Sequence, residues 1–201
     1  MKIGPRYKKA RYLGAAIFRK TQTQKYAIRA QRKTKNKKSQ GAKSEYGKQM
    51  LEKQKARFSY GVSGRQFARY VRMALKDKGD NAKNLLQILE SRLDNVINRA
   101  GFAISRSAAR QMVSHGHFCV NDTIVTIPSY QVRVGDIITI RPGSINKSVF
   151  KNLNEELKNI KLPTWIKIDF NKKDITIAGI PTINNEETLF DVSSVLQFYT
   201  R

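Results

Sequence analysis

Apolar residues recur at the spacing of one face of a helix in several segments between residues 44 and 116. The clearest pattern begins at residue 64 and ends near Gly79. There, apolar side chains occupy positions i, i+3, i+4, i+7 and i+8, namely Phe67, Tyr70, Val71, Ala74 and Leu75. Ser63 and Gln66 form the S-x-x-Q pattern of a capping box just before this stripe. Comparable patterns predict three more helices, over residues 44–61, 81–100 and 105–116.

Short apolar runs separated by turn residues follow this helical part. Residues 118–120, 123–125 and 137–140 predict a small antiparallel sheet, with Asn121-Asp122 as the first turn. Residues 165–170 and 174–177 predict a further hairpin. Helical patterns return over residues 150–160 and 189–199. The pattern as a whole predicts an α+β protein.

Charge changes the interpretation of the first 43 residues. The chain of 201 residues has 39 Lys+Arg and 15 Asp+Glu, a net charge of +24, and Glu45 is the only acid among the first 50 residues. Few large apolar residues lie between Arg19 and Lys43, so we predict a basic extended N-terminal arm over residues 1–43. Such an excess of positive charge favours a polyanionic partner, nucleic acid before an acidic membrane surface. No run approaches the roughly 18 apolar residues of a membrane span.

A row of cations occupies the side of the 64–79 helix opposite its apolar stripe. Arg65, Arg69, Arg72 and Lys76 fall at i, i+4, i+7 and i+11, and the predicted helix contains no acid at i±4 to pair with them, since Asp80 lies beyond Gly79. A helix face that is only exposed to water would show the same row of cations. The lack of internal pairing favours phosphate contact.

Metal and catalytic chemistry find little support in the sequence. Cys119 is the only cysteine, and His115 and His117 are the only histidines, which are too few ligands for a zinc site within this chain. Cys119 lies between apolar residues and is interpreted as a small buried hydrophobe. The acids Asp94, Asp122, Asp136 and Asp174 have no convincing catalytic setting. We therefore expect no cofactor, no metal and no enzymatic activity.

Three segments carry a resemblance to a known family. They are Arg-Leu-Asp-Asn at 92–95, the run from Ala103 to His117, and Ile-Pro-Ser-Tyr-Gln-Val at 127–132. They resemble the RNA-binding module named after small-subunit ribosomal protein S-four. Some pseudouridine synthases and tyrosyl-tRNA synthetases contain the same module, so an RNA-modifying enzyme and a free RNA-binding regulator remain alternatives.

The flanking segments favour the ribosomal family itself. Ser-Glu-Tyr-Gly at 44–47, Tyr-Gly-Val at 60–62 and Gln-Phe-Tyr-Thr-Arg at 197–201 resemble the helical domain of that family. The resemblance implies a helical domain split in sequence, residues 44–91 plus 179–201, around an inserted RNA-binding module of two helices packed on a small antiparallel sheet, residues 92–178.

The resemblance also implies a function and partners. Family members are structural constituents of the small ribosomal subunit that bind a junction in the five-prime domain of its rRNA and nucleate assembly. They line the region where mRNA enters, beside small-subunit proteins three and five, and they contribute to decoding accuracy. These roles are expectations for this chain.

Two departures from the family pattern are the missing N-terminal cysteines and the Asn121-Asp122 turn, where the family usually has Asn-Gly. Many bacterial members have an N-terminal zinc knuckle, and this chain has no cysteine there. The opening Gly4-Pro5-Arg6-Tyr7-Lys8-Lys9 looks more like plastid-encoded members. We therefore expect a ribosomal location in the chloroplast stroma, with a bacterial cytoplasm as the alternative.

The predicted RNA contacts are mostly cations, which neutralise phosphates. Serine and glutamine side chains are expected to hydrogen-bond the RNA backbone, Tyr130 to stack on a base, and Gly116 to allow close approach. The candidates outside the module are Arg6, Lys8, Lys9, Arg11, Lys43, Tyr46, Lys53, Lys55, Arg57, Arg65, Arg69 and Arg72. The candidates within it are Arg92, Asn95, Arg99, Ser105, Arg106, Arg110, Ser114, His115, Gly116, His117, Ser129, Tyr130 and Gln131.

Overall fold

A computed structural model describes residues 3–35, 44–147, 150, 162–170, 172–182 and 188–200. Its helices are α1 (Arg6–Leu13), α2 (Gln24–Lys35), α3 (Glu45–Ser59), α4 (Gly64–Lys76), α5 (Asn81–Glu90), α6 (Leu93–Arg99), α7 (Arg106–Ser114) and α8 (Val192–Thr200). Its strands are β1 (Phe118–Val120), β2 (Thr123–Ile124), β3 (Ile137–Ile140), β4 (Ile166–Asp169) and β5 (Asp174–Ile177). The predicted α+β class is confirmed. Among the described residues no helix is long and apolar enough to cross a membrane.

The chain divides into two compact units. Unit 1 takes Met1–Ala82 together with Ile183–Arg201, and unit 2 takes Lys83–Thr182. Unit 1 therefore combines segments that are distant in sequence, whereas unit 2 is continuous.

Unit 1 is built around the packing of α3 against α8. The amide of Gln49 donates from Nε2 to Oε1 of Gln197 at 3.2 Å, and the rings of Tyr46 and Phe198 lie 5.4 Å apart. This packing provides the docking surface that the short, apolar α8 requires, because an isolated helix of this length is not stable in water.

The predicted amphipathic stripe forms the buried side of α4. Phe67, Val71 and Ala74 are fully buried. Half of the predicted capping box forms, since Oγ of Ser63 accepts a hydrogen bond from the backbone N–H of Gln66 at 3.3 Å. The Gln66 side chain instead donates to the hydroxyl of Tyr70 at 2.9 Å.

The prediction of an extended arm is wrong for residues 3–35, which contain α1, a short 3-10 helix at Arg19–Thr21 and α2. Ala10, Leu13 and Phe18 are buried together with Phe58 of α3 in a small apolar cluster. These apolar residues are few, but they pack together with Phe58 of α3. Their burial offsets the entropy cost of ordering the segment. The remainder of the predicted arm, including Lys43, lies outside the described residues.

Unit 2 packs α6 and α7 on one face of a five-stranded antiparallel sheet with the order β2-β1-β3-β5-β4. Its core joins Ile97 of α6 and Val113 of α7 to Phe118, Ile138 and Ile175 of the sheet, all completely buried. The predicted strands and the second hairpin are confirmed, while the helix predicted over 150–160 lies almost wholly outside the described residues.

The first hairpin turns at Asn121 and Asp122, whose φ angles are 47° and 63°. Positive φ at both central residues is the feature of a type I′ turn, so aspartate occupies the place where glycine is preferred without changing the kind of turn.

The single helix predicted over residues 81–100 is wrong. The structure has two helices, α5 and α6, because the chain is extended at Arg92, with φ −68° and ψ 134°. The backbone N–H of Val132 donates to the carbonyl of Ser91 at 2.8 Å, and Arg92 forms an isolated antiparallel bridge with Gln131. Pairing with a segment about 40 residues away in the sequence thus interrupts a continuous helical pattern.

Candidate nucleic-acid interface

Two buried acids of unit 2, Glu90 and Asp94, form ion pairs with four arginines that lie in or next to its helices. We call this group the arginine cluster, and its members are Glu90, Arg92, Asp94, Asn95, Arg99, Arg106 and Arg110. They come from the end of α5, the break before α6, α6 itself and α7. The cluster is therefore assembled by the same break that separates α5 from α6.

Glu90 holds the first half of the cluster. Its carboxylate is fully buried and accepts from Nε of Arg99 at 3.0 Å and from Nδ2 of Asn95 at 2.7 Å. The guanidinium of Arg106 lies 3.9 Å from the same carboxylate, and its Nε donates to Oδ1 of Asn95 at 2.6 Å. Asn95 thus links Glu90 to α7.

Asp94 holds the second half. Its side chain is 3% exposed and accepts two hydrogen bonds from Arg92, from Nε at 3.0 Å and from a terminal nitrogen at 2.7 Å. Arg110 of α7 donates to Oδ2 of the same carboxylate at 2.9 and 3.1 Å. Two-point arginine–carboxylate contacts fix the orientation of the guanidinium plane as well as its position.

The cluster has an excess of positive charge. Four guanidiniums share two carboxylates, which leaves two positive charges in excess. The side chain of Arg92 is only 1% exposed, whereas those of Arg99, Arg106 and Arg110 are 27–28% exposed. Three partly exposed arginines, held in place by buried acids, therefore present a positive surface of fixed geometry.

The predicted contact loop at 127–132 is attached to the start of α6. Carbonyl oxygens of Tyr130 and Pro128 accept from the backbone N–H groups of Leu93 and Asp94, at 2.9 and 3.2 Å. The three loop candidates, Ser129, Tyr130 and Gln131, are each partly buried. The loop thus lies beside the arginine cluster, and its partly exposed side chains adjoin the same surface.

The two ends of α7 contain further candidates of unit 2. Oγ of Ser105 caps the helix by accepting from the backbone N–H of Ala108 at 3.3 Å. Ser114 and His115 are exposed at the other end, and Gly116 turns the chain with a φ of +67°.

His117 points inward and is 6% exposed. Its Nδ1 lies 3.0 Å from Oγ of Ser144. Burial, assisted by the positive charges of Lys147, His115 and Arg141, lowers the pKa of His117. The ring is therefore a neutral packing element at neutral pH.

The cationic row of α4 lies on the exposed side of unit 1, as its spacing predicts. Arg65, Arg69, Arg72 and Lys76 are all exposed. Within the part of the chain that the structure describes, none of these four cations pairs with a buried acid of the kind that holds the arginine cluster. The row is a basic surface of a second kind, made of long side chains on one helix face.

Four other predicted cations of unit 1 contact neighbouring side chains. Nζ of Lys53 lies 3.8 Å from the centre of the Phe198 ring, and burial, with a smaller effect of Arg57, lowers the pKa of this lysine. Arg57 and Lys9 lie over the ring of Phe58, at 4.6 and 4.7 Å.

Lys55 pairs with Glu52 at 2.6 Å. These cations contribute to packing within unit 1, while Arg6, Lys8, Arg11 and Tyr46 are exposed.

Three predicted contact residues have buried side chains. Arg92, Asn95 and His117 are 1%, 1% and 6% exposed, so their side chains offer almost no surface to RNA. Arg92 and Asn95 instead hold the exposed members of the arginine cluster. Gly116 is also buried, and its positive φ is the reason for glycine at that position.

Sequence reasoning misses the acids that organise the site. By pattern alone, Glu90 belongs to a continuous helix, and Asp94 is one residue of the 92–95 motif with no role of its own. The available signal is their spacing, since acids at i and i+4 are followed by arginines at 99, 106 and 110. Among the described residues no group of three or more His, Cys, Asp or Glu side chains is placed to hold a metal ion, and Cys119 is buried with a free thiol.

Comparisons with known proteins give consistent results for both parts of the chain. Residues 1–90 match the family model described as ribosomal protein S4/S9 N-terminal domain, and residues 91–138 match the S4 domain. Small ribosomal subunit protein uS4 of Mycobacteroides abscessus is 43% identical over 158 residues, which cover 79% of each chain. The uS4 proteins of Pseudothermotoga lettingae and Thermotoga maritima are 41% and 42% identical over 162 and 159 residues, covering 80% and 79% of this chain and 78% and 76% of theirs.

Proposed function

Because the chain belongs to the uS4 family of small ribosomal subunit proteins, we propose that it binds a folded junction in the five-prime domain of small-subunit rRNA and nucleates assembly there. Its role in the ribosome is structural. In this proposal unit 1 corresponds to the helical domain and unit 2 to the RNA-binding module.

The arginine cluster is the observation that carries the proposal. Arg99, Arg106 and Arg110 are partly exposed, and the buried carboxylates of Glu90 and Asp94 hold their guanidiniums in position. Arginines of fixed geometry bind phosphates at fixed separations, so they favour an RNA whose backbone is already folded to match. A flexible basic tail has no such preference, because its charges rearrange around any polyanion.

The exposed row of α4 supplies a second basic surface, on unit 1. Arg65, Arg69 and Arg72 have the reach to contact phosphates, and their contribution is expected to be mainly electrostatic. In this proposal, Ser105, Ser114 and His115 add polar contacts at the ends of α7, and Tyr130 and Gln131 add contacts from the loop beside α6.

Three finer roles are proposed from the family resemblance. They are contact with mRNA where it enters the small subunit, contact with small-subunit proteins three and five, and an effect on decoding accuracy. The location proposed is the ribosome. The N-terminal sequence favours a plastid, but the uS4 proteins compared with this chain are bacterial and give that choice no support.

Binding to intact and disrupted junction RNA tests the main proposal. The dissociation constant of the full chain is measured at several salt concentrations with a transcript of the five-prime domain, and with one whose junction strands are mutated to prevent folding. Tighter binding to the intact junction is the expected result, and equal binding contradicts the proposal.

An arginine variant tests the surface that carries it. Arg106→Ala is expected to weaken binding and to reduce the salt slope by about 0.7–0.9 for each phosphate that is no longer neutralised. Lys167→Ala is the matched control, because Lys167 is an exposed cation of β4 outside the cluster. Equal salt slopes for the wild type and Arg106→Ala would remove Arg106 from the interface.

A further inference from the structure

Two tyrosines near the start of unit 1 form a stacked pair at the protein surface. The rings of Tyr7 on α1 and Tyr26 on α2 have centroids 5.7 Å apart and planes inclined by 28°. Tyr26 is partly buried against the apolar cluster that contains Phe18 and Phe58, whereas Tyr7 is 50% exposed. The pair therefore extends a ring stack from this small core to the solvent.

The surroundings of the pair are strongly positive. Arg11 lies one helical turn after Tyr7, and its Nε donates to the carbonyl of Tyr7 at 3.3 Å. Arg29 lies three residues after Tyr26, on the same side of α2, and is exposed. No acid occurs before Glu45, so no nearby sequence position offers these cations a carboxylate. An exposed aromatic face between cations is the combination that binds single-stranded nucleic acid.

Other aromatic rings of the same region are used differently. Phe58 is buried, with Lys9 and Arg57 over its ring. Phe198, which packs on Tyr46, has Lys53 over its ring. Tyr46 is also half exposed, and its ring lies 5.4 Å from that of Phe198, but the supporting Phe198 ring already has Lys53 over it. In the Tyr7–Tyr26 pair the supporting ring is instead packed against the apolar cluster.

We propose that Tyr7, supported from beneath by Tyr26, is a stacking site for an unpaired base of the bound RNA, with Arg11 and Arg29 contacting the adjoining phosphates. A base in a duplex is covered by its neighbours, so the site selects a single-stranded or bulged nucleotide. The inference rests on the proposed RNA-binding function and adds to it a contact whose strength does not depend on charge.

Salt dependence separates this contact from the cationic ones. Tyr7→Ala is expected to weaken binding to the five-prime-domain transcript at least about fivefold at every salt concentration, since a base-stacking contact is that strong. The salt slope is expected to stay unchanged, because the same phosphates remain neutralised. Tyr7→Phe keeps the ring and is expected to bind within about twofold of the wild type.

Two controls make the result specific. Ile28→Ala removes a side chain of α2 that is 52% exposed and not aromatic, and it is expected to leave affinity unchanged. Thermal unfolding of each variant shows whether Tyr7→Ala acts through the fold. If that variant is unstable, a photocrosslinking experiment replaces it. The complex of the wild-type protein with a transcript containing 4-thiouridine is irradiated, and a crosslink to Tyr7 or Tyr26 is expected.

The outcomes distinguish the inference from the function on which it rests. Wild-type preference for the intact junction combined with equal affinity of Tyr7→Ala overturns the stacking site and leaves the proposed function standing. A larger effect of Tyr7→Ala at low salt than at high salt also overturns it, because that pattern belongs to a charge contact. Wild-type indifference to junction folding contradicts the proposed function, and the crosslink then still tests the stacking site.

Discussion

Replacing Asp94 by asparagine tests the idea that buried acids hold the arginine cluster. The change keeps the shape of the side chain and removes its charge. Its main consequence falls on Arg92, whose guanidinium is 1% exposed and donates two hydrogen bonds to this carboxylate. A buried cation without its partner cannot turn to water, and breaking such a pair costs about 3–5 kcal/mol.

The loss of stability is expected to depend on how exposed the arginine is that loses its acid. Two other variants provide a comparison for Asp94→Asn. Glu90→Gln leaves Arg99 and Arg106, which are 27% and 28% exposed and can move toward solvent. We expect it to cost about 1.5–3 kcal/mol, the value of hydrogen bonds to a charged group. Arg110→Ala keeps the pair of Arg92 with Asp94, and it is expected to cost about 1 kcal/mol or less.

Urea unfolding followed by tryptophan fluorescence measures these differences. Trp165 is the single tryptophan, lies in unit 2 and is 3% exposed, so its emission reports the unit that contains the cluster. With a urea dependence of about 1–3 kcal/mol per molar, Asp94→Asn is expected to lower the unfolding midpoint by at least about 1 M. A midpoint shift no larger than that of Arg110→Ala would refute the reasoning.

Three further predictions use the same fluorescence assay. Asp122→Gly is expected to stabilise unit 2 by about 0.5 kcal/mol, because glycine adopts a φ of 63° without strain, and a decrease in stability would contradict this. Burial is the main cause that lowers the pKa of His117, so the unfolded chain binds the proton more readily and stability should fall as pH drops through about 6.5. His117→Asn should flatten that dependence, and an unchanged profile would assign it to another group. Burial, and then the charge of Asp169, raises the pKa of Asp174, so the folded protein retains the proton and stability should fall as pH rises through the window above about 3.9. Asp174→Asn should therefore stabilise unit 2 at pH 7 but not at pH 3, and equal effects at both would exclude this cause.

The sequence pattern correctly predicts those helices and strands that are determined by residues within the element itself. The apolar stripe of α4 and the strands around Asn121-Asp122 follow from spacing and turn residues alone. The break before α6 does not, because its cause is the pairing of Ser91 and Arg92 with residues 131–132, which leaves the helical pattern of the sequence intact. Helical spacing identifies a face and says nothing about a distant segment that interrupts it.

The candidate site is predictable in composition but not in geometry. The arginines at 99, 106 and 110 are selected by their charge, and the structure does leave them partly exposed. Arg92 has the same chemistry and is buried, because its neighbour Asp94 faces inward from the first turn of α6. The difference between a contact residue and a positioning residue depends on which side chains meet acids in three dimensions.

The split of unit 1 along the sequence has a consequence for its biosynthesis. Helix α8 packs on α3, and Gln197 reaches Gln49 across 148 positions of the chain. Residues 83–182 emerge between these two helices, so unit 2 is synthesised completely before α8 exists. At about 5–20 residues per second, α3 and α4 remain without a complete α8 for at least roughly 6–25 s, long enough for a small continuous unit to fold first. Co-translational folding is therefore expected to begin in the interior of the chain and to finish when α8 closes unit 1.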